Sequence, residues 1–221
     1  MSRKSGRSEG QQDLFSVDGS AHLAHRLDAL AWPEQERFPV NRASTNVRSV
    51  VWADLETSTA PVLVAGYSSI AELVDFIADW NAHDHDGEVR VVLGAEPFQS
   101  SRRSFASPRA DFYEDVTNYW FDRGISLRHS AQVVVATEAL RAGRVKVRAV
   151  VGQSPLHAKV FVGDDAATTG SSNFTARGLG RQAEANARFE RDSERKRFDG
   201  LVKIANNFWE VGEDWNEEFV A

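Results

Sequence analysis

Between Pro61 and Gly94 the apolar residues change period twice, and no other stretch constrains the fold as strongly. Pro61-Val-Leu-Val-Ala-Gly66 is a compact apolar run bounded by turn residues, the pattern of a buried strand. Ser68 and Ser69 then precede Ile70, Leu73, Val74, Ile77 and Trp80, spaced as one helical face that ends at Asn81. Val89-Arg-Val-Val-Leu-Gly94 is a second strand. A strand, a helix and a strand in this order lead to parallel pairing through a right-handed crossover.

Helical patterns recur at His22 to Ala31, which stops at Trp32-Pro33, at Arg48 to Glu56, near Asp111 to Phe121 and near Ser130 to Arg141. Further strands are expected at Val145 to Val151 and at Leu156 to Val162, the second following a Gly-Gln-Ser-Pro turn. Another is expected at Ala183 to Phe189, with Ala183, Ala185, Ala187 and Phe189 on one face. Phe198, Leu201, Val202, Ala205, Phe208 and Trp209 form the stripe of a helix packed on a sheet. The fold class this implies is α/β, a mixed and mostly parallel β-sheet flanked by helices on both faces. Residues 1–19 are polar and rich in Ser, Gly, Arg and Gln, a disordered leader, which leaves 20–221 as a single domain.

Composition removes several classes of chemistry. The 221 residues contain no cysteine, which excludes disulfides, thiol nucleophiles and Cys-ligated metal, so a nucleophile must be oxygen or nitrogen. Apolar runs such as Val133 to Ala136 fall far short of the roughly 18 residues of a membrane span, and the N-terminus is polar, so a cytoplasmic location and no membrane partner are expected. With 26 basic against 32 acidic residues the net charge is −6, and a nucleic acid would have to be held by a local basic patch.

The chemistry concentrates in Leu156-His-Ala-Lys-Val-Phe-Val-Gly-Asp164 and Gly170-Ser-Ser-Asn173. On a strand His157 and Lys159 project from one face, while Leu156, Ala158, Val160 and Val162 fill the other. Ser171 and Asn173, if extended, supply a hydroxyl and an amide on a common face. Lysine compensates the charge of a phosphate, the hydroxyl and amide donate to its oxygens, and the imidazole is free to attack phosphorus or to donate a proton.

His-x-Lys-x4-Asp followed by Gly-Ser-x-Asn resembles the signature of the phospholipase D superfamily. Five residues separate Asp164 from Gly170, where the family usually has six. From about Val47 to Trp215 the chain is similar to single-signature nuclease domains of this superfamily, found alone or with DNA helicases and bacterial defence proteins. The resemblance implies a metal-independent phosphodiesterase without cofactor, foremost a DNA endonuclease with RNA as the alternative substrate, that works through a phosphohistidine. It implies a homodimer in which two copies of His157 face one phosphodiester, one as nucleophile and one as acid. Glu184, eleven residues after Asn173, takes the position of an acidic residue that orients the histidine, and Asp164 a structural or supporting role. Two other activities fit the same residues: a phospholipase or small-substrate phosphodiesterase, and a weakly active DNA-binding module serving a helicase or restriction partner.

Arg144, Lys146 and Arg148 alternate with Val145, Val147 and Ala149, which would set three cations on one strand face as a phosphate-tracking stripe. Arg102, Arg103 and Arg109, and Arg177 and Arg181, are further candidates for phosphate contacts. His83-Asp-His-Asp86 has ligand-type residues but no partner cluster elsewhere in the sequence, so no metal site is assigned to it.

Overall fold

The structure is a computed structural model that describes residues 26, 28–83, 85–94, 127–151 and 156–220. The leader, Arg102, Arg103, Arg109, the 111–121 helix and the 152–155 turn lie outside the described residues. Seven strands, β1 (Val62–Ala65), β2 (Val89–Gly94), β3 (Val145–Val150), β4 (Lys159–Val162), β5 (Ala166–Gly170), β6 (Asn186–Glu190) and β7 (Glu213–Asp214), form one sheet. Their order is β6-β5-β4-β1-β2-β3-β7. The described helices are α1 (Val47–Glu56), α2 (Ile70–Asn81), α3 (Leu127–Arg141), α4 (Ala176–Gly180), α5 (Arg195–Val211) and α6 (Asn216–Val220).

β1 alternates between two cores because it is covered on both sides. Leu63 and Ala65 join Val51 and Leu55 of α1, Phe76 and Trp80 of α2 and Ala139 of α3 in the larger core. Val62 and Val64 face the other way, toward Phe198, Leu201, Ala205 and Trp209 of α5. Each fully buried large apolar side chain contributes about 1.5–3 kcal/mol, and Trp80, Phe76, Phe161 and Phe174 are among the largest. The α/β class with helices on both faces therefore holds. Asn46 and Ser69 cap α1 and α2, their side chains accepting from the N–H groups of Ser49 and Glu72.

The expected predominance of parallel strands does not hold. Parallel pairing is confined to β1 with β2 and β2 with β3. β4 pairs antiparallel with β1, β5 with β4, β6 with β5, and β7 with β3. The reason is connection length: β4 and β5 are joined by a tight turn in which Gly163 N–H donates to the Ala166 carbonyl at 2.9 Å, too short for any crossover. Two strand boundaries also differ from expectation. β4 begins at Lys159, leaving His157 just ahead of it, and β6 begins at Asn186, with Ala185 forming an isolated bridge to Val40. Among the described residues no helix is long and apolar enough to cross a membrane.

Candidate functional site

The signature is a β-hairpin, and that explains why residues so far apart in it meet. Val160 lies opposite Thr169 and Phe161 opposite Thr168, so the chain entering β4 and the chain leaving β5 return to the same end of the sheet. Continuing this register brings Ser171 level with Ala158, beside His157. β6 adds the third strand: Gly170 pairs with Asn186, and Ser171 N–H donates to the Ala185 carbonyl at 3.1 Å. Glu184 is thereby set against Ser171. His157, Lys159, Ser171, Asn173 and Glu184 all belong to this one end.

Their environments differ. His157 is exposed, and among the described residues its imidazole makes no hydrogen bond. Lys159 is 5% exposed, and its Nζ donates to the His157 carbonyl at 2.8 Å, which holds the ammonium beneath the histidine. Phe161, two residues on, lies in the larger core, whereas Leu156, Val160 and Val162 lie in the smaller, as alternation requires. Ser171 Oγ donates to Glu184 Oε2 and accepts from Ala185 N–H at 3.1 Å. A serine hydroxyl has one proton, so in this arrangement it goes to Glu184. Asn173 Oδ1 is buried without a partner among the described residues. An orphaned buried acceptor costs about 1–3 kcal/mol, a cost that a polar ligand or a turned amide relieves.

Residues that sequence reasoning missed build the support. Phe174, next to Asn173, is fully buried, stacked on Trp52 at 5.9 Å and edge-on to Phe76 at 5.8 Å. Its carbonyl accepts from Ser68 Oγ and Ser69 N–H, both at 3.1 Å, tying the loop after β1 to the loop after β5. A Cβ at Gly178 would lie 2.4 Å from the Asn173 carbonyl oxygen, so α4 packs on Asn173 only with glycine there. Asn186 is buried and donates to Ser172 Oγ at 2.9 Å and to the Pro39 carbonyl at 3.0 Å, clamping the hairpin end. The aromatic after Asn173 is the one local signal for this shell; the other partners lie too far apart in sequence to show.

Asp164 sits at the far end of β4, about 20 Å along an extended strand from His157. Its carboxylate accepts from Thr59 N–H and its own N–H donates to Ser58 Oγ, both at 2.8 Å, so it fastens the β4–β5 turn to the end of α1.

Two of the three cations of the expected stripe, Arg144 and Arg148, are taken up by hydrogen bonds within the fold. Arg144 precedes β3 and donates to Asn81 Oδ1 and the His85 carbonyl, both at 2.6 Å. Arg148 donates to the Trp209 carbonyl at 2.6 Å and lies 4.3 Å over the Trp209 ring, satisfying the C-terminal end of α5. Lys146 pairs with Glu88 at 2.6 Å. α5 takes up Arg148, while Lys146 stays about half exposed beside Glu88. Arg177 and Arg181 are exposed and take no ion pair among the described residues. The imidazoles of His83 and His85 hydrogen-bond to the carbonyls of Asp79 and Glu56, at 2.9 and 2.8 Å. No group of three or more metal-ligating side chains is found among the described residues.

No protein-family model matches the sequence, and no curated protein is significantly similar to it. Among solved structures the chain is similar to Nuc, a phospholipase D family member from Salmonella typhimurium, at TM-score 0.52 and 14% identity, over 80% of this chain and 96% of that one. It is similar to phosphatidylserine synthase from Haemophilus influenzae Rd KW20 at TM-score 0.54 and 14% identity, over 80% of this chain and 39% of that one. At such identity the likeness is one of fold. The chain therefore shares the fold of Nuc, a phospholipase D family member.

Proposed function

We propose that this protein is a phosphodiesterase that cleaves nucleic acid, DNA foremost, without metal or cofactor. The observation that carries this reading is the convergence of an exposed imidazole, a buried ammonium, an amide and a carboxylate-bound hydroxyl at one sheet end. That set supplies a nucleophile and charge compensation for one phosphate. Nuc, with the same fold, belongs to the phospholipase D family.

In the proposed reaction His157 attacks phosphorus, a P–N bond forms, and the P–O bond to the leaving group breaks in line. The departing oxygen takes its proton from a second imidazole on the opposite side. Among the described residues one histidine lies at this site, so a two-fold axis through it supplies the partner subunit's His157. Water then displaces the imidazole and regenerates both groups. Lys159 and Asn173 hold the phosphoryl oxygens. Glu184, which the resemblance assigns to orienting the imidazole, acts here as a positioning residue through its bond to Ser171.

The experiment is single-turnover cleavage of end-labelled DNA and RNA beside phosphatidylcholine vesicles, in excess EDTA, with the oligomeric state read by light scattering. Cleavage of nucleic acid by a dimer, with a bell-shaped pH profile from the coupled histidine pair, is expected. Hydrolysis of lipid alone, activity that returns only with Mg²⁺ or Mn²⁺, or a fully active monomer would overturn the corresponding part.

A further inference from the structure

The motif assigns Ser171 to donate to the phosphate, yet its single proton is directed to Glu184. A second hydroxyl could take over that contact, and one is carried by a residue whose backbone adjoins the site. Leu30, Phe38, Tyr67, Val134, Ile204 and Val211 are the large apolar or aromatic side chains exposed among the described residues. Of these, Tyr67 has a backbone held from both sides by the site itself. Gly66 N–H donates to the Ala158 carbonyl at 2.9 Å, extending the β1–β4 ladder by one residue. A Cβ at Gly66 would lie 2.7 Å from His157 Cα and 2.3 Å from the Leu156 carbonyl oxygen, so glycine is what lets the end of β1 lie flush against His157. One residue further, the Tyr67 carbonyl accepts from Phe174 N–H at 3.3 Å, next to Asn173. Tyr67 is thus bracketed between His157 and Asn173 on pinned backbone, while its side chain is 43% exposed and its hydroxyl has no hydrogen bond among the described residues.

We propose that Tyr67 is a substrate-contacting residue whose hydroxyl donates a hydrogen bond to a phosphoryl oxygen of the diester bound at His157. This rests on the phosphodiesterase reading. A phenol is a hydrogen-bond donor that reaches further from the backbone than a serine hydroxyl. With its backbone already held, binding has to order only its two side-chain torsions.

The test uses Tyr67→Phe, which removes only the hydroxyl, and Tyr67→Ala, which also removes the ring. Each is assayed on labelled DNA and on bis(p-nitrophenyl) phosphate, and for affinity toward inorganic tungstate by calorimetry, with unchanged Tm as the check on folding. Tyr67→Phe is expected to lower kcat/KM about tenfold on both substrates, mainly through kcat, and to weaken tungstate binding by a similar factor. Tyr67→Phe equal to wild type on both substrates overturns the proposal; loss by Tyr67→Ala on DNA alone then assigns the ring to a base. If the wild type cleaves neither substrate, the phosphodiesterase reading fails. Tungstate affinity then decides the hydroxyl contact separately: a Tyr67→Phe value equal to wild type overturns it.

Discussion

The two ends of β4 carry different parts of one sequence signature, and they are built in opposite ways. At the Lys159 end His157 is exposed with no ring hydrogen bond among the described residues, and Asn173 Oδ1 is buried without a partner. At the Asp164 end both the carboxylate and the N–H are satisfied, by Thr59 and Ser58, at 2.8 Å each. Native interiors leave few polar groups unpaired, so the end with unspent hydrogen-bonding capacity is the one prepared for a ligand. A motif can therefore mix chemistry with scaffold, and the hydrogen-bond inventory separates the two.

The largest expected effect breaks or confirms this division directly. His157→Ala is expected to reduce cleavage by on the order of 10⁴-fold or more, because it removes the nucleophile. Lys159→Ala and Asn173→Ala should each cost on the order of 10²-fold or more. Asp164→Ala is expected to leave the single-turnover rate within a few-fold of wild type. Near-normal cleavage by purified His157→Ala would sink the mechanism.

Next comes the aromatic anchor behind the open end. Phe174→Ala removes a fully buried ring that touches Trp52, Phe76 and Phe161, and is expected to cost about 3–5 kcal/mol of stability by urea unfolding. It should also loosen Asn173, so activity measured well below the new midpoint should fall more than the folded fraction does. A loss of less than about 1 kcal/mol would show that the site end does not depend on this cluster.

At the closed end Asp164→Ala should reverse the pattern, losing about 0.5–1 kcal/mol with activity retained, since the acceptor for Thr59 N–H disappears. Asp164→Asn, which keeps an acceptor, is expected to recover most of it. Equal unfolding midpoints for all three proteins would remove the scaffold role.

The smallest effect concerns the edge of the hairpin sheet. Arg188 hydrogen-bonds to Asp54 at 2.7 and 2.9 Å and to Glu190 at 2.9 Å. The hydrogen bond from Arg188, and then that from Ser193, hold the Glu190 carboxyl below its usual range. A depressed carboxylate contributes stability that is present above its unfolded value of about 4.3 and is lost as pH falls through the folded one. Glu190 is 51% exposed, so solvent screening leaves a few tenths of a kcal/mol. Comparing wild type with Glu190→Gln at pH 7 and pH 3 should show a small gap at pH 7 that narrows toward pH 3; a gap that widens in acid has the wrong sign.

Much of the fold is legible as period. The expected helix from Ile70 to Asn81 and strand from Val89 to Gly94 match the structure end to end, because apolar spacing of 3.6 or 2 reflects backbone repeats that each residue senses locally. β5 is not legible: Ala166-Ala-Thr-Thr-Gly170 lacks alternation and ends in glycine, and it becomes a strand because β4 and β6 pair with it on both sides. The arginines show the same limit. Alternation correctly puts Lys146 and Arg148 opposite Val147, but it holds no information that Trp209, 61 residues later, will take Arg148.

The amino-acid order alone thus settles which chemical groups are available, the absence of thiols, and the spacing that makes His157 through Asn173 recognisable. Those are properties of covalent neighbours and of short-range backbone geometry. Which of these groups stay open to a ligand is decided by pairing between distant segments: Ser171 spends its proton on Glu184 from the next strand, Asp164 is spent on the turn after α1, and Tyr67 is brought beside His157 by the β1–β4 ladder. Hydrogen-bond capacity is finite, and only the folded chain determines where each donor and acceptor is used.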